Sequence, residues 1–315
     1  MALRDARYPA RAVEFLRLWR YQRFYHLEPL RLITARAVRS SLFWVDGVAT
    51  SSLPADDRGL LLADGVFETL WWDGSRIYYP WAHERRLISG LRVLRFNDPE
   101  QQARGALESL QQTLKNGTGS RSGVVRLTLT RGSGPRGYRP PTRAIARAIV
   151  AFYPSEPAAF QPVTLGWSEV RWSHQPLYET AKLLARTEQV LAAAESLSQG
   201  VDDVLMMDAE GHVISSSCAN VLVRFGRQLL TPKLDGSGIS GTRLAVIREY
   251  VAGRHGASVR DVSLTREDLL DADEVLLCNA VRGVQSAAKL ESREWHEFAV
   301  GRALNADVGS GRGDA

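Results

Sequence analysis

From Leu42 onward, apolar and polar residues alternate in short runs with the period of two that marks half-buried strands. LFWVDG and GVATSS predict a hairpin about Asp46-Gly47, a dipeptide that tolerates the positive φ of tight turns. VFETLWWDGSRIYYP predicts two more strands across Asp73-Gly74. The spacing then lengthens. Leu87, Leu91 and Leu94, followed by Leu107, Leu110 and Leu114, predict helices over 81–96 and 98–115. VVRLTLT (124–130) and residues 144–153 return to strand, separated by the loop RGSGPRGYRPP.

YPSEPAAFQP (153–162) holds three prolines and no periodicity, which suits a linker. Beyond it the pattern predicts a strand at 163–170 and a helix over about 179–199, closed by Gly200 as its C-terminal cap. VLMMD, HVIS, NVLVRF and QLLT read as a meander with turns at Glu210-Gly211 and Gly226-Arg227. The Gly-rich DGSGISG leads into a helix at 242–253. SVRDVS, a short helix capped by Thr265, and EVLLCNA follow. Strands and helices are grouped rather than strictly alternating, so the expected class is α+β and a doubly wound parallel sheet is disfavoured. The expected organisation is a basic extension (1–41), a small α+β domain (42–153), a linker (154–162), a larger α+β domain (163–304) and a disordered tail (305–315).

Charge changes the picture only at the N-terminus. Residues 1–41 carry nine arginines against Asp5, Glu14 and Glu28, whereas the whole chain has a net charge of +5. The body is therefore close to neutral, and nucleic-acid binding is not expected. The extension could form an amphipathic helix, but it lacks the uncharged apolar stretch of a secretory signal. No apolar run approaches the roughly 20 residues of a membrane-spanning helix. The two cysteines, Cys218 and Cys278, have no metal-binding spacing and are expected to be reduced thiols of a cytoplasmic protein.

Lysine is scarce: among 40 basic residues only Lys115, Lys182, Lys233 and Lys289 carry a primary amine. Lys182, in ETAKLLARTEQVL, falls in the first turn of the helix expected over 179–199. A helix N-terminus disfavours an ammonium ion, and a neutral amine can form a Schiff base or act as a base. A solvated surface lysine is the other reading. DGSGISGTRL (235–244) runs from glycines into a helix start, where backbone N–H groups can bind an anion; a plain turn is the alternative, and the Walker A ending is missing. Arg131 and Arg136, in RGSGPRGY, could hold carboxylates through bidentate guanidinium contacts or belong to an ordinary solvated loop. No HExxH or GxSxG motif is present, which leaves metalloprotease and serine hydrolase readings without support.

These segments together resemble the fold-type IV pyridoxal-phosphate (PLP) enzymes, which include D-amino-acid and branched-chain aminotransferases and 4-amino-4-deoxychorismate lyase. LLADGVFETL, HERRL, KLLARTEQVL, GHVISSSCANVL, LLTPKLDGSGISGTR and EVLLCNAVRGV occur in the family's order between about Leu42 and Leu290. The resemblance implies a two-domain fold, PLP carried as a Schiff base on Lys182, and a phosphate held by Arg86 and by the backbone of Thr242, Arg243, Asn279 and Ala280. RGSGPRGY is most like the lyase loop. That implies conversion of aminodeoxychorismate to 4-aminobenzoate and pyruvate, with Lys182 as the proton-transfer group and Arg131 or Arg136 on a substrate carboxylate. It also implies a homodimer. The alternatives are an aminotransferase of D- or branched-chain amino acids, or a family member with reduced or lost activity. The last arises because Ser215 stands where the family has a glutamate against the pyridine nitrogen, and a hydroxyl cannot enforce the charge that a carboxylate does.

Overall fold

The computed structural model describes residues 41–309 except 143, 145 and 179. The basic extension expected over 1–41 lies outside the described residues apart from Ser41, as do residues 310–315 of the expected tail. The described fold is α+β, as the pattern implies.

The first sheet contains β1 (Leu42–Val45), β2 (Val48–Ala49), β3 (Gly65–Trp72), β4 (Gly123–Thr130) and β5 (Arg147–Pro154). Their antiparallel order is β2-β1-β5-β4-β3, so β3 is an edge strand. In β4, Val125, Leu127 and Leu129 are buried while Val124, Arg126 and Thr128 are half-buried, the alternation expected of a pleated strand. The core side packs on α2 (Pro80–Val93) and α3 (Pro99–Gly117) through Leu87, Leu91, Leu107, Leu110 and Leu114. A short helix, α1 (Arg58–Leu62), was not legible in the sequence; the Asp57 side chain caps it by accepting from the N–H groups of Gly59 and Leu60.

The strand expected after Asp73-Gly74 shrinks to one bridge, Trp72 with Ile77. Tyr79 takes a φ of 52° and Pro80 occupies the first turn of α2, which ends extended pairing there.

The second sheet contains β6 (Val163–Arg171), β7 (Asp203–Met207), β8 (Val213–Ser216), β9 (Asn220–Phe225), β10 (Gln228–Pro232), β11 (Val259–Val262), β12 (Glu274–Asn279), β13 (Gly283–Leu290) and β14 (Arg293–Glu294). Its order is β11-β10-β9-β12-β13-β6-β7-β8, with β14 paired to β13. The expected meander is therefore split. β7–β8 and β9–β10 are hairpins, but β12, β13 and β6 stand between the two hairpins in the ladder. The helices are α4 (Thr187–Gln199), α5 (Thr242–Val246), α6 (Arg266–Asp271) and α7 (Ala299–Gly309). Gly200 ends α4 with a φ of 68°, and Thr265 caps α6 through a capping box with Asp268, both as the sequence suggests.

Residues 305–309 are helical, not a disordered tail. Leu304 and Val308, four apart on one face of α7, are buried together, and Asn305 accepts the Val284 N–H at 2.9 Å. Among the described residues no helix is long and apolar enough to cross a membrane.

Candidate active site

Lys182 is not in a helix. α4 begins only at Thr187, and residues 181–184 run extended along the free edge of β3. Phe67 N–H donates to the Lys182 carbonyl at 3.1 Å, and Leu184 N–H donates to the Gly65 carbonyl at 3.0 Å. Side chains therefore alternate. Ala181 and Leu183 enter the core beneath the first sheet, while Lys182 and Leu184 face a cavity of about 750 Å³. The strand edge offers hydrogen bonds and a core slot for Leu183, and these override the helical pattern of the sequence.

The helix-terminus argument for a neutral amine thus gives way to another cause. Burial lowers the Lys182 ammonium first, and the Arg86 charge adds to it, bringing the pKa from 10.5 to about 7. The ammonium also lies over the Phe67 ring, 4.5 Å from its centroid. With a folded pKa below the unfolded one, the unfolded chain binds more protons between pH 7 and 10.5, so this residue's contribution to stability rises with pH through that window. Lys182→Met is therefore expected to raise the Tm of the cofactor-free protein at pH 7, with the gain vanishing above about pH 10.5. Thermal unfolding at several pH values checks this; no gain at neutral pH would contradict it.

Beside Lys182 lies a triad that the sequence reading missed. Glu68 in β3 accepts from Arg86 Nε at 2.7 Å, from Arg86 Nη2, and from His83 Nδ1 at 2.6 Å. Burial alone would raise the Glu68 carboxyl, but Arg86 and then His83 outweigh it and hold it at about 2. Burial keeps His83 below the usual imidazole value, so its bond to Glu68 comes from a neutral ring. Arg86 also donates to the Ser240 carbonyl at 3.1 Å. Three of its five N–H groups are thus used, and two remain for a ligand. One signal for Glu68 was available: it shares the strand parity of the core residues Val66 and Leu70.

The far wall comes from the second sheet. Ser215 to Asn220 line it through the β8–β9 turn, with Gly241 and Thr242 at the start of α5 and Asn279 and Ala280 at the end of β12. Gly241 is needed for space: a Cβ there would sit 1.7 Å from Asn220 Oδ1. Asn220 in turn donates to the Ile239 carbonyl at 2.9 Å and braces the glycine-rich loop.

The structure thus brings Arg86, Lys182, Ser215, Thr242, Asn279 and Ala280 around one cavity. Arg243 stands behind it, buried, donating to the Ala280 carbonyl at 2.8 Å and lying over the Tyr79 ring. Arg131 and Arg136 do not line the cavity. Arg131 is buried against Asp64 at 2.8 Å and the Phe96 ring, so its charge is committed within the fold. Arg136 is exposed on its loop, which Arg58 holds by donating to the Gly137 and Tyr138 carbonyls. Three other arginines, Arg126, Arg186 and Arg282, do line the cavity, and none has an ion pair among the described residues. Burial lowers both Arg126 and Arg186. The described lining contains no aspartate or glutamate.

This composition suits an anionic group carrying an aldehyde. An amine with a pKa near 7 lies beside it, two N–H groups of Arg86 are available, and a tight glycine loop opens a helix. The site's residues therefore fit PLP.

Comparison with known proteins agrees. The family model for amino-transferase class IV matches residues 65–290. Aminodeoxychorismate lyase of Vibrio harveyi is 31% identical over 269 residues, covering 83% of this chain and 96% of the relative. The crystal structure of 4-amino-4-deoxychorismate lyase from Pseudomonas aeruginosa superposes with a TM-score of 0.76 at 32% identity, covering 85% of this chain and 98% of that one. An aminotransferase from Brucella abortus, solved with its cofactor PLP, shares the fold with a TM-score of 0.76 at 17% identity, covering 87% of this chain and 99% of that one. The chain belongs to the class IV aminotransferase family of PLP-dependent enzymes.

Proposed function

We propose that this enzyme is a lyase that converts 4-amino-4-deoxychorismate to 4-aminobenzoate and pyruvate, with Lys182 as the Schiff-base and proton-transfer residue of bound PLP. One observation carries the reading: an amine with a pKa near 7 opens into a cavity ringed by arginines, with no carboxylate in its described lining. The proposed substrate has two carboxylates, and the cofactor brings a phosphate, so cationic walls complement both.

Arg86 would hold the phosphate with its two remaining N–H groups, helped by the backbone at Thr242 and Arg243 and at Asn279 and Ala280. Glu68 positions Arg86 through its paired hydrogen bonds. When bound, PLP supplies an electron sink for the carbon that bears the substrate amine. Lys182, whose amine burial makes easier to deprotonate, removes the proton from that carbon. The bond to the enolpyruvyl oxygen at the neighbouring carbon then breaks, the ring becomes aromatic, and the released enol takes up a proton to become pyruvate. Arg126 and Arg186 are placed to hold a substrate carboxylate in the same cavity, a task the sequence had suggested for Arg131 or Arg136. We further propose a cytoplasmic homodimer.

The test is product formation without a co-substrate. Purified enzyme given aminodeoxychorismate alone is expected to release 4-aminobenzoate and pyruvate in equal amounts, followed by chromatography and a coupled pyruvate assay. Membership of the class IV aminotransferase family supports a second reading, transfer of amino groups from D- or branched-chain amino acids. Turnover that requires a keto acid, with no pyruvate from aminodeoxychorismate, would favour it and overturn the lyase.

A further inference from the structure

Ser215, at the position where the family resemblance implies a glutamate, does not stand alone in the cavity wall. Trp172, just past the end of β6, donates its indole N–H to Ser215 Oγ at 2.9 Å. The Ser215 hydroxyl in turn donates to the Ser216 carbonyl at 2.7 Å. Both side chains are buried, Ser215 at 5% exposure and Trp172 at 8%. An indole N–H can only donate, so Trp172 occupies one lone pair of the serine oxygen, and the single hydroxyl hydrogen, held here by the Ser216 carbonyl, is the group that turns outward when an acceptor nitrogen faces it. Donation into the oxygen also strengthens the hydroxyl as a donor.

Among the described residues no carboxylate lines the cavity in place of that glutamate. Glu210 is exposed in the β7–β8 turn and does not line the cavity. Asp203 is buried nearby, but it accepts from Ser217 Oγ at 2.6 Å, Ser217 N at 3.2 Å and Cys218 Sγ at 3.4 Å, behind the wall. The charged groups of the described lining are all cationic: Lys182 and four arginines. Neighbouring positive charge and a neutral hydroxyl both work against protonating a pyridine nitrogen placed there.

We propose that Trp172 and Ser215 together hold the pyridine nitrogen of the cofactor as a neutral hydrogen-bond acceptor, Ser215 touching the ring and Trp172 acting as its positioning residue. The inference rests on the assignment of PLP to Lys182 made above. Its consequence is a weaker electron sink, sufficient for an elimination that aromatisation drives and poor for amino-group transfer. The chain is thereby specialised for lyase chemistry.

The test uses holoenzyme prepared with PLP labelled with 15N at the ring nitrogen. The wild-type resonance is expected in the neutral-pyridine region at neutral pH, and Ser215→Glu is expected to move it to the pyridinium region. Trp172→Phe keeps an aromatic ring and removes the N–H; it is expected to shift the wild-type resonance towards that of a pyridine with a weaker hydrogen bond. A wild-type resonance in the pyridinium region overturns the proposal, and an unmoved resonance in Trp172→Phe overturns the role of the indole. These two readings decide the matter even where Ser215→Glu does not fold. Borohydride trapping on the same samples separates the failures. Loss of the Lys182 adduct refutes the cofactor assignment, whereas an intact adduct with a pyridinium signal refutes this inference alone.

Discussion

Lys182→Ala is expected to lower kcat on aminodeoxychorismate on the order of 10³-fold or more. A positioned acid–base group alone contributes about 10²–10⁴-fold, and this substitution also removes the covalent anchor of the cofactor. The other lysines serve as controls. Lys115, Lys233 and Lys289 are exposed, the last two paired to Asp235 and Glu294, and their alanine variants are expected to retain wild-type turnover. Steady-state kinetics on the four variants checks this, with circular dichroism confirming the fold. Full turnover by Lys182→Ala would remove the basis of the proposed mechanism.

The second large effect concerns stability. Glu68→Ala leaves Arg86 and His83 without their shared carboxylate in a buried setting, and breaking such a cluster costs about 3–5 kcal/mol. Arg86 and His83 hold the carboxyl down to about 2, so the cluster is ionised throughout the neutral range. Because the folded pKa is depressed, this stabilisation is present above pH 4.5 and is lost as pH falls through about 2. Urea unfolding should therefore show a large deficit for the variant at pH 7 that shrinks on acidification. Equal stability at pH 7 would show that the triad is not what braces Arg86. The variant should also bind PLP more weakly, since Arg86 loses the partner that orients it.

The contrast between Lys182 and Glu68 shows how far the sequence reaches. Features set by local chemistry are legible: the Asp46-Gly47 turn, the Gly200 cap and the Thr265 capping box each depend on residues within a few positions. The scarcity of lysine and the order of the motifs point to Lys182, yet its segment pairs with a strand edge instead of forming the helix its local pattern predicts. A long-range pairing with β3 decides the conformation there, and no local pattern encodes that partner. The neutral amine survives on different physics, burial and neighbouring guanidinium charge instead of a helix terminus.

Arginines show the same limit. With most of the chain's basic residues being arginine, composition cannot distinguish those bound within the fold, such as Arg131, from those in the cavity, such as Arg126 and Arg186. Strand parity places Arg126 opposite the core-facing Val125 and Leu127, but only the tertiary fold shows that this face borders Lys182. The helical end at 305–309 is hard to see in sequence because a Gly- and Asp-rich segment hides one apolar pair, Leu304 and Val308, that docks it.

The central claim is that Lys182 is the amine that carries the cofactor. It is tested most directly by reducing the holoenzyme with borohydride, digesting it and mapping the pyridoxyl group by mass spectrometry. The expected result is a single modified peptide with the adduct on Lys182. An adduct on Lys115, Lys233 or Lys289, or no adduct on a protein saturated with PLP, would contradict the account.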